Sequence, residues 1–334
     1  MYNHRFCTGT LIILMIIVPF VFSYASENNS SINVNAPYSV TLKLINEVTL
    51  PANPSDIFIK DDYAYILCPS VVLVRISEPY NIPKIKIYSD LASDAKSIAF
   101  NGSYAYLAQG DGVIKIVNFQ NIDSPVNDGS VNSFGNITKV SVYNGYLYFI
   151  SKELGLHIYD VTVPNLPIPK GNQVVSGEPN GLFLKNNYAY VTSSNATLTI
   201  INVSDISKLP IAGTYNFGIN FYDVFVSENY AYIPQGSTGV QVLDVALLPS
   251  PEHITNIFSR KFAKQVVVDG YYTWVNDDNS IQAFYSREPK DQLYAGSYDN
   301  GSYSINKIAV VNNKYIYLCS SNNKLKVIQI YYNY

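Results

Sequence analysis

Charged residues are scarce in this chain, yet six of them recur at one equivalent position. Only 14% of the 334 residues are Asp, Glu, Lys or Arg. Seven aromatic pairs punctuate the sequence: Tyr63/Tyr65, Tyr104/Tyr106, Tyr146/Tyr148, Tyr188/Tyr190, Tyr230/Tyr232, Tyr272/Trp274 and Tyr315/Tyr317. Counting back seven residues from each first aromatic, or eight where the intervening turn is longer by one, gives Asp56, Lys96, Lys139, Gly181, Asp223, Lys264 and Lys307. A radial arrangement of the repeats would bring these side chains to one axis. Four lysines and two aspartates, a net +2, could then hold a polar or anionic ligand. The competing reading is that lysines and aspartates pair with one another around a water-filled channel.

Other candidate chemistry is thin. The sequence holds neither Gly-x-Ser-x-Gly nor His-Glu-x-x-His. His157 falls in a strand pattern and His253 in a link, and both read as structural or solvated residues. Gly110-Asp111-Gly112 joins two strand patterns rather than a strand and a helix, so it reads as a hairpin turn and not a phosphate loop. Asn276-Asp277-Asp278-Asn279 clusters oxygen donors but lacks the alternating spacing of a calcium loop, and reads as a solvated turn. No catalytic residue, metal or cofactor is expected. A channel-site enzyme remains the alternative, because an axial site can be assembled from single residues of several repeats without a local motif.

These residues need a scaffold, and the aromatic pairs supply its period. Their spacing is 41 to 43 residues. Around Tyr188, an apolar run at Leu182–Leu184 is followed by Asn186-Asn187, a second run from Tyr188, a turn at Ser193–Asn195, a third run at Leu198–Val203 and a fourth at Ala212–Phe217. Four short strands joined by tight turns make one antiparallel sheet. The first turn recurs in each repeat with Asn, Asp or Gly, which accept positive φ; Glu228 is the departure. Seven such units predict an all-β fold, a seven-bladed β-propeller of four-stranded antiparallel blades. The seventh repeat lacks a fourth strand, while Val40–Leu50 precedes the first inner strand without a partner. This N-terminal strand is predicted to complete the last blade, removing an exposed edge.

The ring then places the cysteines. Cys68 and Cys319 fall on second strands of the first and last repeats, which become neighbours. A disulfide between them would clasp the ring in an oxidising compartment; two buried thiols are the alternative. Phe217, Phe221 and Tyr222 lie in the link between repeats four and five, either as an exposed apolar contact or as packing between blades.

The N-terminus indicates the compartment. Arg5 precedes an unbroken apolar run from Leu11 to Phe22, and Ser23-Tyr24-Ala25 offers a cleavage site. Residues 1–25 read as a secretory signal peptide, cut after Ala25; the run is too short for a permanent membrane anchor. Residues 26–37 read as a flexible leader and residues 38–334 as the propeller. The location expected is secreted, cell-surface or periplasmic. Net charge is −3, with no basic run, which argues against nucleic acid.

Gly155-Leu156-His157-Ile158-Tyr159-Asp160-Val161, Gly239-Val240-Gln241-Val242-Leu243-Asp244-Val245 and Leu198-Thr199-Ile200-Ile201-Asn202-Val203 share a phrase. With the aromatic pairs and the proline that follows, residues 40–334 resemble the LVIVD-repeat propeller proteins. The resemblance implies a secreted or surface-exposed propeller and supplies no catalytic residues. The expected function is an exported binding or interaction module, probed by a protein, a glycan or a small polar ligand and acting as a monomer. The alternative is a lyase or hydrolase acting in the channel on a polar or acidic substrate.

Overall fold

The structure, a computed structural model, describes residues 39–82, 85–91, 94–132 and 135–333. The segments read above as a signal peptide and leader lie outside the described residues.

Described residues form seven four-stranded antiparallel sheets. In chain order the blades span residues 56–88, 95–132, 137–173, 179–216, 225–257 and 265–299, and the seventh combines 305–333 with 39–49. The strand Ser39–Thr49 pairs antiparallel with Lys324–Asn333 and becomes the outer strand of blade 7, as the unpartnered N-terminal pattern requires. Within a blade the chain runs from the inner strand outward. Links from each outer strand to the next inner strand therefore share one face with the turns joining second to third strands. The candidate ring sits on that face.

Alternation within the strands decides where the core lies. Second strands are nearly all buried, as in Tyr104–Gln109 and Tyr315–Ser320, because both faces of a blade pack on a neighbour. The apolar core is accordingly divided into seven clusters, each between two consecutive blades. The second aromatic of every pair is buried in one of these clusters: Tyr65, Tyr106, Tyr148, Tyr190, Tyr232, Trp274 and Tyr317. Some of their hydroxyls reach across to the next blade's backbone, Tyr106 to the Pro164 carbonyl at 2.8 Å and Tyr317 to the Ile76 carbonyl at 3.3 Å. Tyr suits this place because a large apolar ring carries a polar tip that finds an acceptor.

The first hairpin of each blade turns on a left-handed residue, joined by a second in blades 3, 4 and 7 (Gly145, Asn187 and Asn313). The first of them are Asp61, Gly102, Asn144, Asn186, Glu228, Gly270 and Asn312, with φ between 49° and 57°. Glu228, at φ 50°, has neither the short polar side chain nor the missing Cβ that eases this conformation. Replacing Glu228 with Asn should raise stability by about 1 kcal/mol. Equilibrium urea unfolding checks it, and an unchanged midpoint would count against the strain.

Candidate functional site

The ring positions stand where the inner strands begin. Asp56 opens Asp56–Lys60, and Lys96, Lys139, Gly181 and Lys307 lie in the first three residues of theirs. Asp223 and Lys264 sit just ahead of Phe225–Ser227 and Gln265–Asp269. Gly181 breaks the charge pattern for a packing reason: a Cβ there would lie 2.9 Å from the Asp223 Cα and 2.3 Å from Thr192 Oγ1. The link into blade 5 thus presses on the start of blade 4.

The six charges fall into two groups. In the centre, Asp223 Oδ2 lies 3.2 Å from Lys307 Nζ and 3.5 Å from Lys139 Nζ. These residues come from blades 5, 7 and 3. Asp56, from blade 1, also acts electrostatically on both lysines. Its own oxygens accept the backbone N–H groups of Ile57 at 3.0 Å and of Ile98 at 3.3 Å, which ties blade 1 to blade 2. Burial alone would raise the Asp223 carboxyl, but the two lysines outweigh it and hold the group below the usual range. Burial likewise opposes the charge on Lys307, and Asp223 and Asp56 overcome it, so this ammonium titrates higher than usual. Lys139 goes the other way: burial pushes it down and Lys307 adds to the effect.

At the mouth, Lys96 pairs with Asp94 and Lys264 with Asp278. Asp278 also accepts from Ser304 at 2.8 Å. The oxygen-rich turn is therefore not a solvated loop. Asp277 is fully buried and accepts hydrogen bonds from Ser280 and Gln282, while Asp278 carries the Lys264 ion pair. Backbone bonds tie the turn to its neighbours: Lys264 N–H donates to the Asn276 carbonyl at 2.8 Å and Asn300 N–H to the Asn279 carbonyl at 2.8 Å.

Beside the mouth pairs opens a cavity of about 410 Å³. Asn53, Ser55, Asp94, Lys96, Lys264 and Asn306 line it with polar groups, from the start of blades 1, 2, 6 and 7. It sits over the seam where the ring closes. Asn306 Nδ2 donates across that seam to Asn53 Oδ1 at 2.8 Å and to the Pro54 carbonyl at 2.7 Å. Counting from the aromatic pairs finds Lys96 and Lys264. It misses Asp94, Asn53 and Asn306, which lie at other offsets from the aromatics.

Cys68 and Cys319 are buried free thiols in the cluster between blades 1 and 7. Burial pushes both thiols up. Cys68 Sγ lies 3.2 Å from Ser70 Oγ and borders the cavity. His157 is buried and stacked on Phe149, with ring centroids 5.0 Å apart, and burial lowers it. The His253 ring stacks on Phe217. The aromatic link divides. Phe221 is fully buried in the cluster between blades 4 and 5, whereas Phe217 and Tyr222 are exposed. Tyr222 meets Phe262 edge to face at 4.9 Å, and Phe258, in the next link, is 78% exposed. Gly110–Gly112 is the turn of an ordinary hairpin, with Asp111 Oδ1 accepting the Val113 N–H at 3.1 Å.

A family model described as the LVIVD repeat matches residues 92–133, 176–217 and 221–255. The chain carries LVIVD repeats. The three LVIVD matches fall on blades 2, 4 and 5, and the same aromatic pair and hairpin recur in the other four blades. No curated protein sequence matches the chain. Among solved structures, the β-propeller domain of Myceliophteria thermophila Cps50 (Swd1) is similar over 86% of this chain and 99% of its own, at 9% identity and a TM-score of 0.70. The computationally designed Ika8 protein is similar over 84% of this chain and 98% of its own, at 8% identity and a TM-score of 0.62. Both likenesses are of fold alone.

Proposed function

We propose that this LVIVD-repeat propeller is an exported binding module whose channel mouth takes a small polar ligand bearing negative charge. The cavity over the seam carries the reading. Its volume, about 410 Å³, falls in the range of small-molecule sites, and side chains from four consecutive blades converge on it. Lys96 and Lys264 supply cationic donors, while Asn53, Ser55 and Asn306 supply groups that orient a ligand. Export rests on the apolar leader and its small-residue cleavage site. The exposed aromatics Phe217, Tyr222, Phe258 and Phe262 on the same face suit a module that meets a partner there.

A channel hydrolase is less well supported. Asp94 is the one carboxylate among the residues lining the cavity, and acid–base hydrolysis commonly uses a pair.

Calorimetric titration of residues 26–334 against di- and tricarboxylates, phosphate and acidic glycans tests the reading. A member of this set should bind, and changing Lys96 and Lys264 together to Ala should weaken it about tenfold or more. Unchanged affinity in that double variant would discard the mouth as the site.

A further inference from the structure

The face opposite the mouth carries an opening of another kind. There the first hairpin of one blade meets the link between third and outer strands of the next. Between blades 3 and 4 this seam widens into a cavity of about 440 Å³, a small-molecule size. Tyr143, Asn144, Tyr146 and Tyr148 border it from blade 3, and Asn187 and Ser207 from blade 4. Two blades on, the same offsets mark a cavity of only about 110 Å³, where Tyr271 stands in the place of Asn187.

Tyr148 is the informative group. Its counterpart in blade 2, Tyr106, donates to the Pro164 carbonyl in the link of blade 3 at 2.8 Å. The link of blade 4 is shifted by one residue. Over Gly129 of blade 2 stands the Asn165 carbonyl, but over the matching Gly171 of blade 3 stands that of Ile206, the counterpart of Pro164. The usual acceptor is thus turned away. Tyr148 is 1% exposed with its ring packed between blades 3 and 4, and its hydroxyl has no partner among the described residues. A buried phenol bordering a cavity with its donor unanswered is a ready point for a ligand's acceptor. The lining around it offers both halves of a hydrogen bond. Asn144 Nδ2 bridges the seam to Asn187 Oδ1 at 3.4 Å, which leaves Asn144 Oδ1 as an acceptor and Asn187 Nδ2 as a donor. The Ser204 and Ser207 hydroxyls donate to Asn202 and Asp205, both at 2.6 Å, and keep their acceptor lone pairs. Among the residues lining the cavity there is one carboxylate, Asp205, and no cation.

We infer that the seam between blades 3 and 4 is a carbohydrate site that takes a neutral mono- or disaccharide unit. A sugar ring presents C–H groups on its faces and hydroxyls around its edge. Tyr143 and Tyr146 supply apolar ring surface for the faces. The Tyr148 hydroxyl and Asn187 Nδ2 donate, while Asn144 Oδ1, Ser204 and Ser207 accept, which suits hydroxyls that do both at once. With Asp205 present and no cation to answer them, phosphates and acidic sugars are disfavoured. A proline-rich segment would also lie on tyrosines, but proline has no N–H to offer the acceptors. This site shares no residue with the mouth cavity, and either can stand without the other.

Saturation-transfer NMR on the purified protein tests the inference, with glucose, galactose, mannose, fucose, N-acetylglucosamine, lactose, cellobiose and maltose as probes. At least one probe should receive transfer, and titrating it gives a Kd. Tyr148→Phe removes one oxygen and leaves the buried ring in place, so the fold is kept and affinity should fall about three- to tenfold. Tyr146→Ala strips ring surface from the site and should weaken binding about tenfold. Changing Lys96 and Lys264 together to Ala alters the mouth alone and should leave sugar affinity as it was. Transfer to none of the probes would overturn the inference, as would undiminished affinity in Tyr148→Phe. Sugar binding lost in the mouth variant, or a decaproline peptide bound where the sugars are not, would overturn it too.

Discussion

A chain lacking residues 39–50 should lose its cooperative unfolding transition. The strand Ser39–Thr49 is not an appendage. It pairs along Lys324–Asn333 and contributes to two of the seven clusters, with Val40 and Leu42 on the blade 6/7 side and Ile45, Val48 and Leu50 on the blade 7/1 side. Full burial of a residue of this kind is worth roughly 1.5–3 kcal/mol, so losing five partly and fully buried ones removes about 5–10 kcal/mol. That equals the whole stability of a typical domain. The truncation also bares the long strand Lys324–Asn333 as an unpaired edge, and aggregation should follow. A point change reaches the same strand without deletion. A Cβ on Gly296 would sit 2.3 Å from the Val40 carbonyl oxygen, so Gly296→Val should push the clasp off blade 6. Trp274, the one tryptophan, is buried in the same cluster as Val40 and reports the change by fluorescence. An unaltered urea midpoint in both variants would refute the clasp.

Stability should fall steeply between pH 10 and pH 12. Burial pushes Tyr65, Tyr148, Tyr190 and Tyr232 up to about 12, and raises Tyr106 and Tyr317 as well. The folded-state values lie above the unfolded value near 10. Below pH 10 both states are protonated, and the tyrosines add no pH dependence. Above it the unfolded chain releases protons that the folded chain retains, so stability declines until the folded values are passed. Each such tyrosine forfeits up to about 1.4 kcal/mol per pH unit in that window. Because these tyrosines sit in different inter-blade clusters, the loss spreads around the ring instead of opening one seam. Urea midpoints from pH 9 to pH 11.5, followed together with tyrosinate absorbance, would show unfolding and ionisation coinciding. Tyrosinate appearing well before unfolding would show that the rings titrate in place.

The fold was legible because its determinants are local and repeated. A left-handed turn residue, two aromatics and a buried third strand recur in register, so each repeat reads as the same unit. The clasp followed from counting: one strand too few at the end, one unpartnered at the start. The ring of charges was legible by the same offset, down to the glycine that interrupts it. That lysines and aspartates pair was one of the two readings, but which lysine meets which carboxylate was not legible. Asp56 and Asp223 belong to blades 1 and 5, yet both act on Lys139 and Lys307, because side chains from distant blades reach a narrow axis. Asp94 escaped notice because it lies in a link whose offset varies, and Asp278 was seen only as part of an oxygen-rich turn, not as the partner of Lys264. Asp277 looked like a solvated turn residue, yet it is buried and accepts from Ser280 and Gln282, a pairing across the hairpin that the turn's own composition does not announce.

One carboxylate oxygen touches lysines that start from wedges three and seven, and itself belongs to wedge five. Such a contact gauges circumference. A ring with one wedge fewer or more would move the three anchor points around the axis and strand a desolvated charge. The hub thus registers the number of blades, a quantity that no contact between adjacent wedges can sense.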